Sequence, residues 1–142
     1  MFFSNRMGSH RRRPPPHPRV LIVDGHEDTR ELYTLGLTFY GFEAAAIEDA
    51  GDAFSRARET HPDIIVMEIA LPRVDGWALV EALRRNPQTA AIPVVVLTSH
   101  AEPYVRARAE REGCAAVLVK PYPPDQLAPA LRDVLQHDSR SI

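Results

Sequence analysis

The stretch DIIVMEIALP, Asp63 to Pro72, sets four consecutive apolar residues, Ile64 to Met67, directly before a carboxylate, Glu68. A continuous run of this kind, rich in Ile and Val, reads as a strand buried on both faces, and such strands belong to parallel sheets. VLIV (20–23), PVVVL (93–97) and AAVLV (115–119) read the same way. FEAAA (42–46), introduced by Gly41, is a weaker fifth candidate. The charge that ends the Ile64–Met67 run therefore stands at the mouth of a buried sheet.

Between these runs the apolar residues take helical spacing. Leu32, Leu35 and Phe39 form one stripe, and Ala50, Ala53, Phe54 and Ala57 another. Gly76, Leu79, Val80 and Leu83 repeat the pattern, as do Leu127, Ala130, Leu131, Val134 and Leu135. The segment 101–112 offers only Ala101, Val105 and Ala109, so it is expected to be the least anchored helix. Five strands alternating with five helices predict an α/β fold, a doubly wound five-stranded parallel sheet with right-handed crossovers. In such a sheet ligands bind outside the carboxyl ends of the strands.

The chain has 142 residues, enough for one domain with its own core. With 44% hydrophobic and 25% charged residues it has the balance of an ordinary globular protein, and no apolar run is long enough to suggest a membrane span. The start is Arg- and Pro-rich and lacks the apolar core of a signal peptide. A cytoplasmic location is expected. The single cysteine, Cys114, excludes an intrachain disulfide and reads as a small buried hydrophobe.

Charge is unevenly spread. Residues 1–19 carry five arginines and no acid, which leaves 12 basic against 19 acidic residues in the remainder, a net −7. So acidic a body disfavours nucleic acid as a partner. We expect residues 1–18 to be a disordered basic tail, 19–137 the domain, and 138–142 a C-terminal tail. No effector domain is expected after Ile142. Of the 17 basic residues 16 are Arg, and the single lysine is Lys120.

The strand ends carry Asp24-Gly25, Glu68, Thr98-Ser99 and Lys120-Pro121. VDGHEDTR contains neither GxGxxG nor GxxxxGK[ST], so nucleotide binding of the Rossmann or P-loop type has no support. Taken in order, VLIVDGHEDTR, DIIVMEIALPRVDGW, IPVVVLTSH and VLVKPYPPDQL resemble the motifs of the receiver domain of bacterial response regulators, over residues 19 to about 136. The resemblance implies a flavodoxin-like fold with strand order 2-1-3-4-5. It implies an acceptor carboxylate at position 68 that takes a phosphoryl group from a sensor kinase's phosphohistidine. It also implies Mg²⁺ held by Asp24, Glu68 and the Ala70 carbonyl, phosphoryl oxygens engaged by Thr98 and Lys120, and a cis Lys120–Pro121 bond. Such chemistry needs positioning and charge neutralisation more than covalent help.

Three residues depart from the pattern. The acceptor is Glu68 rather than Asp, the second acid of the pair is Gly25, and the aromatic switch position is Val117. Glu carries its carboxylate about 1.5 Å further out, and ~1 Å of misplacement can cost on the order of a hundredfold in a site of this kind. With one acid missing, Mg²⁺ is expected to bind weakly. Glu27 and Asp28 read as first-turn helix acids, and His26 as a loop histidine. The longer Glu68 can instead meet Lys120 directly.

The leading expectation is a stand-alone pseudo-receiver, not an enzyme, that signals by docking a protein partner. The partner would be a sensor kinase or a downstream effector, engaged through helix 101–112, strand 115–119 and helix 124–136. Tyr104, Arg106, Arg108 and Arg111 are expected to be exposed there, and homodimerisation stays open. The alternative is a phosphoryl-accepting receiver that uses Glu68 or Asp24 with Mg²⁺. Metal binding without phosphoryl chemistry, and DNA binding through the tail, are disfavoured.

Overall fold

The computed structural model describes residues 15–138. Most of the expected basic tail and nearly all of the C-terminal one lie outside the described residues. Ten elements alternate along the chain: β1 (Arg19–Val23), α1 (Glu27–Phe39), β2 (Glu43–Ile47), α2 (Ala50–Thr60), β3 (Ile64–Met67), α3 (Gly76–Arg85), β4 (Val94–Thr98), α4 (Pro103–Arg111), β5 (Ala116–Val119) and α5 (Pro124–Asp138). The strands form one parallel sheet in the order β2-β1-β3-β4-β5, as expected. Each strand lies within one residue of the apolar run that marked it.

Successive strand residues face opposite sides of a sheet, and the core divides accordingly. Leu21, Val23, Ile65, Met67, Val94, Val96 and Val117 face one way, under α2, α3 and α4. Val20, Ile22, Ile64, Val66, Val95, Leu97 and Leu118 face the other, under α1 and α5. The register pairs Val23 with Met67, Met67 with Val96, and Thr98 with Val119. The residues just past these positions therefore meet at one edge.

The helix starts follow local chemistry. Asp49 and Asp75 cap α2 and α3, their carboxylates accepting the backbone N–H of Asp52 and of Trp77, each at 3.1 Å. Gly76 opens α3 where no side chain fits, since a β carbon there would lie 2.7 Å from both Cα and O of Ile69. Cys114 is buried, and burial pushes its thiol up to about 12. No helix among the described residues is long and apolar enough to cross a membrane.

Two expectations are corrected. The stripe Leu32–Leu35–Phe39 does not face the core: these residues are 53%, 72% and 79% exposed. The buried face of α1 is Tyr33 and Leu37, with Gly36 packed against Pro124 of α5. A small residue at the helix contact lets α1 and α5 approach closely, and that contact sets the rotation of α1. Tyr33 falls outside a purely apolar stripe because it has a polar end, which donates to the Tyr122 carbonyl at 2.8 Å. Leu37→Ala is thus expected to cost about 2–5 kcal/mol, whereas Leu35→Ala should stay within about 0.5 kcal/mol. Urea unfolding of the two variants checks this; equal losses would contradict the assigned face.

The second correction concerns α4. Val105 and Ala109 are its buried residues, as expected, but Arg106 and Arg108 are half-buried rather than exposed. Arg108 reaches α3, where its guanidinium lies 5.1 Å from the Trp77 ring centre and donates to Glu81 at 2.9 Å. It also pairs with Glu112 at 3.3 Å. The arginine stem and its pairing supply the anchoring that the sparse apolar stripe lacks. Tyr104 and Arg111 are exposed.

Candidate functional site at the carboxyl edge

β1 delivers Asp24, β3 delivers Glu68, β4 ends on Thr98, and β5 leads into Lys120. All four come to the same edge because the register aligns the strand ends. Asp24 and Glu68 are 3% and 5% exposed, so both carboxylates are withdrawn from water. Lys120 Nζ donates to Asp24 Oδ2 at 2.7 Å and to Glu68 Oε1 at 3.1 Å. The remaining oxygens are also met. Asp24 Oδ1 accepts the His26 backbone N–H at 2.9 Å, with His26 Nδ1 at 3.3 Å. Glu68 Oε2 accepts the Ala70 N–H at 3.1 Å. Every carboxylate oxygen thus has a partner, as burial of a charge requires.

The trio carries one positive and two negative charges. Burial works against the Lys120 ammonium, but hydrogen bonds to Asp24 and Glu68, and the charges of both, outweigh it and hold Lys120 above the ordinary lysine range. The lysine backbone is fixed as well, its N–H donating to the Thr98 carbonyl at 2.9 Å. The Lys120–Pro121 bond is cis, as the resemblance implies. Arg30 donates to the Asp24 carbonyl at 2.9 Å from the first turn of α1. Burial pushes the neighbouring Tyr33 phenol up, against the pull of Lys120.

The other residues singled out in the sequence fall as follows. Thr98 is 1% exposed and its Oγ1 accepts the His100 N–H at 3.1 Å. Ala70 contributes its N–H to Glu68, so the glutamate carboxylate turns back onto its own loop. Val117 is fully buried and packs in the same cluster as Val105 and Ala109 of α4. Glu27, Asp28 and His26 are exposed at the start of α1. Sequence reasoning missed Arg30, which shows no short-range pattern linking it to Asp24.

A divalent cation is implied by the resemblance, and the donor set does not fit one. Gly25 offers no carboxylate. The two acids present are both bonded to the ammonium of Lys120, which already supplies the positive charge. Among the described residues no group of three or more His, Cys, Asp or Glu is placed to hold a metal. Mg²⁺ asks for near-octahedral oxygens at short distance, and here those oxygens face a lysine.

Comparison with known proteins places this arrangement in a family. Residues 20–132 match the response regulator receiver domain. The chain belongs to the receiver-domain family of response regulators, the signalling modules of two-component systems. It is 29% identical to Protein PilH of Pseudomonas aeruginosa over 82% of this chain and 97% of that one. It is 31% identical to the phosphate regulon transcriptional regulatory protein PhoB of Klebsiella pneumoniae, over 85% of this chain and 53% of that protein. A further relative, the DNA-binding dual master transcriptional regulator RpaA of Synechocystis, is 28% identical, with 87% and 51% covered. The chain thus spans about half the length of the PhoB and RpaA proteins it matches. Among solved structures, chemotaxis response regulator CheY4 of Vibrio cholerae superposes with a TM-score of 0.77 at 27% identity, over 83% of this chain and 98% of that one.

Proposed function

We propose that this protein is a pseudo-receiver: a receiver domain that signals by docking a protein partner and does not take phosphate at the usual position. The observation that carries this reading is the Lys120 ammonium bonded to Asp24 and Glu68 together, at 2.7 and 3.1 Å. In a receiver, a phosphoryl group on the strand-three carboxylate would provide the charge that the lysine engages. Here the longer glutamate reaches the lysine unmodified. A carboxylate has one charge against roughly −1.5 to −2 for a phosphoryl group, so the mimicry is partial, and the permanent Glu68–Lys120 contact fixes one conformation.

Val117 supports the same reading. The aromatic ring that the family pattern places at this position is replaced by a fully buried valine under α4. With no ring to swing behind Thr98, the edge has nothing to report a change of charge. The docking surface is α4, β5 and α5, where Tyr104 is 72% and Val119 is 40% exposed. The partner would be a sensor kinase or a downstream effector of a two-component pathway.

The test is covalent labelling. Incubation of the wild type with a small acyl phosphate and Mg²⁺ should give no phosphate-sized gain in intact mass. A clear gain that disappears in Glu68→Gln or Asp24→Asn would overturn the reading and leave a phosphoryl-accepting receiver in its place.

A further inference from the structure

We infer that residues 1–14 of this chain dock on the exposed face of α1 and cover an apolar stripe there. Of the seven large apolar or aromatic side chains exposed among the described residues, four are Leu32, Leu35, Phe39 and Tyr40. The other three stand in the β3–α3 loop, α4 and β5. Single exposed apolar residues are ordinary, whereas a contiguous patch marks a contact surface. Positions 28, 32, 35 and 39 fall at i, i+4, i+7 and i+11, so Asp28 and the three apolar residues share one stripe. Phe39 and Tyr40 close it as an edge-to-face pair with ring centres 5.0 Å apart. The face is thus apolar toward the C-terminal end of α1. It is acidic toward the N-terminal end, where Glu27, Asp28 and Glu31 are exposed.

Residues 1–14 carry the matching chemistry. Phe2, Phe3 and Met7 are apolar, Arg6, Arg11, Arg12 and Arg13 are basic, and there is no acid among the fourteen. The segment also joins the fold beside the stripe. His17 Nδ1 donates to the Gly41 carbonyl at 3.1 Å, and the Pro18 carbonyl accepts the Glu43 N–H at 2.8 Å. Glu31 and Asp28 lie ten and thirteen residues before Gly41, about 15 and 20 Å along the helix at ~1.5 Å per residue. Arg13 and Arg11 precede His17 by four and six residues, about 12 and 19 Å for an extended, proline-led segment at ~3.1 Å per residue. The arginines therefore reach the acidic end, and Phe2, Phe3 and Met7 are left to return over Leu32, Leu35 and Phe39.

A second copy of the chain fits this face less well. In a parallel pairing of two α1 stripes the acids meet acids. In an antiparallel pairing they meet Phe39 and Tyr40, and α1 has no basic residue in its last turn to receive them. A segment of the same chain has the needed charge, and its tether gives it a high effective concentration.

The experiment uses the full chain with a nitroxide label on Ser4→Cys; Cys114 is buried and stays unlabelled. Amide NMR signals from Leu32 to Tyr40 should broaden, and those of α3, on the opposite face of the sheet, should not. In a mixture of labelled chains with nitrogen-15 chains that carry no label, the broadening should be absent. Arg11→Glu, Arg12→Glu and Arg13→Glu together should remove at least half of it in the labelled chain. Adding Glu27→Arg, Asp28→Arg and Glu31→Arg should bring it back. A label that leaves α1 unbroadened would overturn the inference, as would broadening that appears in the mixture, the mark of a second copy. So would broadening unchanged by reversal of the three arginines. Should the variant reversed on both sides fail to fold, the arginine variant decides alone.

Discussion

Replacing Lys120 by methionine is expected to destabilise the protein by about 3 kcal/mol, near the lower end of what breaking a buried ion pair costs. The methionine keeps most of the stem's volume, so the loss comes from charge. Asp24 and Glu68 would be left side by side with 4% and 6% of their side-chain surface exposed and no cation between them. The low end of the range is apt because the Lys120 side chain itself retains 16% exposure. Adding Asp24→Asn and Glu68→Gln to Lys120→Met should recover most of the loss, since neutral amides no longer repel. Thermal unfolding followed by circular dichroism at pH 7 reads both statements. A Lys120→Met protein as stable as wild type at pH 7 would mean that the lysine does not neutralise the pair.

Arg84→Ala is the second substitution with a large expected effect, about 2–3 kcal/mol. Arg84 leaves α3 and donates to four backbone carbonyls. Nη1 meets those of Ala90 and Ile92, each at 2.9 Å, Nη2 meets that of Gly113 at 3.1 Å, and Nε that of Glu112 at 3.4 Å. One guanidinium thereby ties the loop before β4 to the loop before β5. Lysine cannot replace it, because a single ammonium cannot span carbonyls on two loops. Arg84→Lys should recover less than half of the loss in the same melting experiment. Full recovery by lysine would show that charge, not the planar fork, is what the position uses.

These two residues also show where the sequence was readable. The strands were legible because buried parallel strands are continuous apolar runs, and the edge was legible because each such run stopped at Asp24, Glu68, Thr98 or Lys120. Lys120 stood out further as the single lysine among 17 basic residues. What was not legible depends on contacts distant in sequence. Arg84 meets Gly113 across 29 positions and Arg108 meets Glu81 across 27, and an arginine on a helix looks the same whether it is solvated or bridging. The buried face of α1 is hidden in the sequence because it consists of Leu37, the half-polar Tyr33 and the small Gly36, while Leu32, Leu35 and Phe39 point outward.

Lys120 also governs the alkaline side of stability. Its folded-state pKa lies above the ordinary lysine value, so the stability it contributes is fully present below that ordinary value and is lost as pH rises through the raised one. Throughout the neutral range Lys120 is therefore charged and bonded to Asp24 and Glu68. Because the chain has one lysine, nitrogen-15 NMR of the side-chain ammonium gives one signal, from the atom that holds the edge together. With an acyl phosphate and Mg²⁺ added, that signal should stay at its original position, because Lys120 remains bonded to Asp24 and an unmodified Glu68. A shifted or second ammonium signal that appears with the phosphodonor and fades as the donor is consumed would contradict the account.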